Sequence, residues 1–124
     1  MKFDTKKDKE GGLVFDFKKH NEALVITVSG SMDSQNAPEF AKIIDEKLNA
    51  GESVFIVNLN SLTHLSSAGL RNIVIVLKKL AANSKKIFFV SSNEDVNRIF
   101  KMAGLYNSLV KIFDSEEAAY SACK

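Results

Sequence analysis

The chain has 124 residues, 45% of them hydrophobic and 26% charged, with nine Phe, no Trp and one Pro, which is the size of one domain and enough to bury a core without staples. Its 17 basic and 15 acidic residues leave a formal charge of +2, and because they are interspersed no face is built to neutralise a phosphate backbone, so nucleic acid is not an expected partner. The lone cysteine, Cys123, has no second thiol for a disulfide or a metal site, as expected of a chain working in the reducing cytoplasm; no cofactor is expected.

Residues 1–11 mix charges without an apolar core of signal-peptide length, and no later run reaches the ~18 uncharged residues of a membrane span. The expectation is a chain neither exported nor inserted in a membrane. Residues 1–11 cannot bury enough apolar surface to offset their ordering entropy and read as a flexible charged arm, leaving 12–124 as a single domain.

LVFDF (13–17) and the β-branched ALVITVS (23–29) alternate as strands, joined by a hairpin turn at HNE (20–22). After GSMDSQ the period becomes 3.6: Phe40, Ile43, Ile44 and Leu48 share a helix face, with Asn36 as the expected cap, Glu39 three residues on, Pro38 in the first turn and Gly51 at the end. SVFIVNL (53–59) has the continuous apolar centre of a strand covered on both faces. A helix follows from about Ala68 to Ala82, then the strand KIFFVS (86–91). A third helix is expected to open at Ser92 with Asp95, to bury Val96, Ile99, Phe100 and Ala103, and to stop at Gly104. The last strand is LVKIF (109–113), and Asp114 with Glu117 is the expected cap of a C-terminal helix. The order β-β-α-β-α-β-α-β-α predicts an α/β fold whose central sheet is mostly parallel with one antiparallel hairpin strand at its edge.

Such sheets meet ligands and partners at the loops after the carboxyl ends of strands. Two loops qualify: GSMDSQN, carrying Asp33, and HLSSAGL, carrying Ser66 and Ser67. One serine of the pair can cap the following helix, worth ~1 kcal/mol. The second leaves a hydroxyl backed by the small residues Ala68 and Gly69, approachable by another protein's active site. A phosphate there would add about −1.5 to −2 charges at a helix N-terminus, where free amides and the dipole accommodate an anion. Arg71 lies one turn along and can pair with it. The same charge inside a protein interface would repel a partner while leaving the fold intact. Spacing alone leaves capping and phosphoacceptor readings both open. On the same helix Ile75 falls between Arg71, Lys78 and Lys79 and is expected to be partly exposed.

A catalytic reading of Asp33, His64 and Ser67 lacks a GxSxG elbow, and nucleotide-binding glycine motifs are absent. The lysine pairs 78–79 and 85–86 read as solvated faces, and His20 has no evident partner.

Three motifs in order resemble the STAS domain of bacterial anti-sigma factor antagonists, over about Gly12 to Ala122: VSGSMDSQNA (28–37), LNSLTHLSSAGLRNIV (59–74) and VNRIFKMAGLYN (96–107). The resemblance implies a STAS-like fold without catalytic activity, Ser67 as phosphoacceptor in register with Gly69, and a partner-binding surface including Asp33, Ser66, Ser67 and Gly69, to which the residue reading adds Arg71 and Ile75. Ser66 stands where many members have Asp. The family implies partner switching: the unphosphorylated antagonist binds an anti-sigma factor that is an ATP-binding serine kinase, freeing sigma factor; phosphorylation releases the kinase and a serine phosphatase resets the cycle. The alternative is an unphosphorylated STAS subunit that serves as a structural part of a transporter or signalling scaffold.

Overall fold

The alternation of the first strands becomes an antiparallel pair in the computed structural model, which describes residues 6–7, 13–102 and 111–123. Strand β1 (Lys6–Lys7) lies beside β2 (Val14–His20), which pairs antiparallel with β3 (Ala23–Met32). His20 faces Ala23 across a tight turn in which Asn21 takes a φ of +56°, a conformation asparagine tolerates because its short polar side chain bonds locally. The pairing of Lys6 and Lys7 with Phe15 and Val14 sets part of the charged N-terminal segment against the sheet.

Helix α1 (Ala37–Asn49) leads to β4 (Val54–Asn58), a short strand β5 (Leu62–Leu65), helix α2 (Ser67–Ala82) and β6 (Lys86–Val90). Helix α3 (Glu94–Met102), β7 (Ile112–Phe113) and α4 (Glu116–Cys123) complete the order. The main sheet runs β1-β2-β3-β4-β6-β7, with β3, β4, β6 and β7 mutually parallel. The expected Ala103, Gly104 and first residues of LVKIF lie outside the described residues.

Period-two patterning divides the core. Leu24, Ile26, Val28, Phe55, Val57 and Phe89 pack toward Phe40 and Ile44 of α1, Ile73, Leu77 and Leu80 of α2, and Phe100 of α3. The intervening Ala23, Val25, Ile56, Phe88 and Val90 pack on the other face against Ala119 of α4. This is why the apolar centre of β4 is continuous: Phe55, Ile56 and Val57 are all fully buried, on opposite faces.

β5 was not expected. It pairs parallel with the last part of β3, Ser31 opposite His64 and Met32 opposite Leu65, after a register shift between Gly30 and Ser31. At that shift Gly30 has φ +111°, which a residue with a Cβ adopts only under strain. One strand thus pairs with β4 through Ala23–Thr27 and, from Gly30 on, with β5, where Thr63 is the extra residue at the shift.

Three helix starts differ from the sequence reading. The Asn36 side chain makes no cap bond to α1. Asn93, not Ser92, accepts from the amides of Asp95 (2.8 Å) and Val96 (3.2 Å). Ser115, not Asp114, accepts from Ala118 at 3.2 Å. In both cases the capping side chain sits one residue further along; at α3 the Ser92 hydroxyl is turned instead to Asn60 Oδ1, at 3.2 Å, which also accepts from the Ser92 amide at 2.7 Å.

Candidate functional site

The Asp33 loop and the serine loop come together at the carboxyl end of β3. The Ser66 amide donates to the Met32 carbonyl at 3.0 Å, extending the β3–β5 pairing to the first residue before α2. Thr63 Oγ donates to the Gly30 carbonyl at 3.1 Å, holding β5 on the bulge.

Asp33 and Asn36 clasp the first loop reciprocally. Asp33 Oδ1 accepts from the amides of Gln35 (2.9 Å) and Asn36 (3.1 Å), while Asn36 Oδ1 accepts from the Asp33 amide (2.9 Å) and its Nδ2 donates to the Ser31 carbonyl (2.7 Å). Asn36 is only 6% exposed, so its amide supplies hydrogen bonds that buried backbone groups would otherwise lack. Asp33 is half-buried. The carboxylate that the resemblance assigns to the partner-binding surface is thus also the loop's organiser, and Asn36, expected as a helix cap, is its partner.

The serines separate in role. Ser66 adopts extended backbone, φ −82° and ψ 168°, and its Oγ accepts from the Gly69 amide at 3.0 Å. Ser67 is the first residue of α2, exposed, and its hydroxyl makes no hydrogen bond among the described residues. Gly69 fits tightly: a Cβ there would lie 3.0 Å from Leu65 Cδ1, 3.0 Å from Met32 Cγ and 3.1 Å from the Met32 carbonyl oxygen. The glycine is what lets α2 start directly against the end of β3.

Ser67, Arg71 and Ile75 are all exposed. At intervals of four residues they form one stripe along α2. Ile75, 55% exposed, is the large hydrophobic left in water among the described residues, while Ile73, Val76, Leu77 and Leu80 of the same helix are buried. The first turn of α2 contains no acidic side chain, whereas α1 has Glu39, α3 has Glu94 and Asp95, and α4 has Glu116 and Glu117 there. Its positive end is therefore not already met by a carboxylate of its own.

His64 is exposed on β5. His20 stacks on Tyr120 with ring centroids 3.6 Å apart and planes 9° from parallel, a contact between the hairpin and α4 that nothing local in the sequence signals. Among the described residues no group of three His, Cys, Asp or Glu is placed to hold a metal ion, and no helix is long and apolar enough to cross a membrane.

Comparison with known proteins gives a consistent picture. The model of the family described as the STAS domain matches residues 14–119. BtrV of Bordetella bronchiseptica, named as a candidate anti-sigma factor antagonist, is 28% identical over 101 residues, covering 82% of this chain and 86% of its own. The anti-sigma-B factor antagonist of Staphylococcus epidermidis is 28% identical over 86 residues, covering 69% and 80%. Among solved structures, an anti-sigma factor antagonist from Mycobacterium paratuberculosis superposes with a TM-score of 0.79 at 20% identity, covering 89% of this chain and 92% of its own.

Proposed function

The chain belongs to the STAS domain family, and from that premise we propose that it is an anti-sigma factor antagonist, a cytoplasmic binding protein without catalytic turnover that is switched by phosphorylation of Ser67. In this reading the unphosphorylated protein docks the stripe Ser67–Arg71–Ile75 and the Asp33 loop on an anti-sigma factor that is also an ATP-binding serine kinase, and sigma factor is released. Phosphorylation at Ser67 ends the complex, and a serine phosphatase restores it.

The observation that carries the reading is the division between the serines. Ser66 supplies the cap, so the exposed Ser67 hydroxyl has no structural duty to lose. A phosphate on it would gain from the free amides and dipole of a helix start that lacks its own acid, so the fold tolerates the charge. At the centre of an interface the same group must be desolvated and lies beside the loop of Asp33, so the partner does not tolerate it. The names of the curated relatives support the same class of function. Asp33 Oδ1, occupied by two backbone amides, acts as a loop organiser rather than as a general base, in keeping with a binding role.

The test is a paired capture from native lysate on Ser67→Ala and Ser67→Glu baits. The expected result is an ATP-binding serine kinase held by the alanine bait and lost from the glutamate bait, and the purified kinase then phosphorylates the parent chain at Ser67. The same proteins on both baits, with no incorporation at Ser67, would overturn the switch and point to a constitutive subunit of a larger assembly.

A further inference from the structure

At the pole opposite the serine loop, α2 ends, β6 and β7 begin and α4 ends around a cavity of about 650 Å³. Its apolar floor wraps the start of β6, with Leu77, Leu80 and Ile87 on the α2 face of the sheet and Phe88 and Phe113 on the α4 face. Ile87 and Phe113 are half-buried, so part of this floor is wetted. Three lysines line the same cavity: Lys85, half-buried, and Lys86 and Lys111, exposed.

The charge balance there is one-sided. No carboxylate lines the cavity among the described residues, and none of the three lysines has an ion-pair partner among them. Elsewhere on the surface Lys18, Lys19 and Lys79 are each matched, by Glu116, Glu52 and Asp45. Lysine stems can lie along an apolar floor while their ammonium groups stay at the rim, and as compact point charges they attract an anion without demanding the bidentate geometry an arginine would impose.

We propose that this cavity binds a single-chain anionic amphiphile, a medium-chain fatty acid, with its tail against the half-buried Ile87 and Phe113 and its carboxylate among Lys85, Lys86 and Lys111. The size favours a small molecule: pockets for such ligands span roughly 300–1,000 Å³, whereas a protein partner needs on the order of 800 Å² of surface from each side. The combination of a wetted hydrocarbon floor with an unmatched positive rim selects against neutral and cationic amphiphiles. The site is separate from Ser67 and independent of whether that serine is modified.

Sodium octanoate, decanoate and dodecanoate, each below its micelle-forming concentration, are titrated into the full chain by calorimetry and by amide chemical shifts, alongside dodecyltrimethylammonium. Saturable binding is expected, tightening by up to roughly fourfold per methylene until the floor is covered, with shifts centred on Leu77, Ile87, Phe88 and Phe113. The K85E/K86E/K111E variant is expected to bind at least ~10-fold more weakly. Ala81→Trp, which fills the cavity from an exposed position on its wall, is expected to abolish binding while leaving the amides around Ser66 and Gly69 unmoved. No saturable dodecanoate binding, equal affinity for the cationic analogue, or an unchanged affinity in the charge-reversed variant would each overturn the assignment. Attachment to phosphatidylglycerol vesicles without any response to monomeric dodecanoate would also overturn it, in favour of a membrane surface.

Discussion

Ser66 Oγ lies 3.0 Å from the amide of Gly69 and accepts its hydrogen. That bond makes Ser66 the structural serine of the pair, and it fixes what each substitution should do. Ser66→Ala orphans an amide at the start of α2 and is expected to cost ~1 kcal/mol in urea denaturation. Ser67→Ala removes an exposed hydroxyl with no partner and is expected to stay within ~0.5 kcal/mol of the parent. Ser66→Asp should hold stability near the parent value, since Asp caps as well as Ser. If Ser67→Ala were the more destabilising, the roles would be reversed.

Gly69→Ala sets two effects against each other. Alanine favours a helix over glycine by about 1 kcal/mol, but the added methyl meets Leu65, Met32 and the Met32 carbonyl at 3.0–3.1 Å, and overpacking costs ~1–3 kcal/mol. Leu65 and Met32 are themselves buried, at 3% and 0% exposure, so they have little room to yield. A net loss of about 1 kcal/mol in urea midpoint analysis is expected, with displaced amide shifts at Met32 and Asp33; a gain in stability would mean the α2 start is looser than its packing indicates.

The first strands and the helices were legible because each carries a single period, two for Leu24, Ile26 and Val28, and 3.6 for Phe40, Ile43 and Ile44, and β4 from its unbroken apolar centre. The exposure of Ile75 was legible for the same reason: it breaks the apolar stripe of its helix. β5 was not, because LTHL has apolar ends around two polar residues, a pattern with neither period; it forms through long-range pairing with the end of β3. The caps were misread by one residue at α3 and α4 because Ser, Asn and Asp cluster at both starts and local spacing cannot rank them. The candidate site was half legible: the two loops were visible, but the Asp33–Asn36 clasp closes only once the turn has folded.

Ile75→Asp separates binding from folding. The side chain is 55% exposed, so exchanging it should change stability by no more than ~0.5 kcal/mol. If the stripe from Ser67 meets the partner, a buried carboxylate there should weaken the complex by about 2 kcal/mol or more, roughly 30-fold in Kd. Calorimetry with the partner identified on the Ser67→Ala bait provides the comparison, and an unchanged Kd would remove Ile75 from the interface.

The last expectation concerns the docking of α4, which buries Ala119 on the face of the sheet that the other helices leave open. Its first turn is tied down by Glu116: Oε2 accepts from Asn58 Nδ2 at 2.7 Å, and Oε1 accepts from Tyr120 Oη at 2.8 Å and meets Lys18 Nζ at 3.0 Å. Burial alone would raise the pKa of this carboxyl, but the hydrogen bonds from Asn58, Lys18 and Tyr120 together outweigh it and hold the group below its ordinary value. The folded state therefore binds its proton less readily than the unfolded chain. The stabilisation is fully present above the ordinary carboxylate pKa of about 4.3 and is lost as the pH falls below it through the depressed folded value. In Glu116→Gln that contribution to the acid slope should vanish, so the stability curves of parent and variant should converge as the pH falls through this window. Hydrogen exchange should report the loss first in the amides of α4, ahead of those in β4, because the latch holds the helix and not the strands. Parallel acid curves in parent and variant would show that Glu116 contributes no coupling between its charge and the fold.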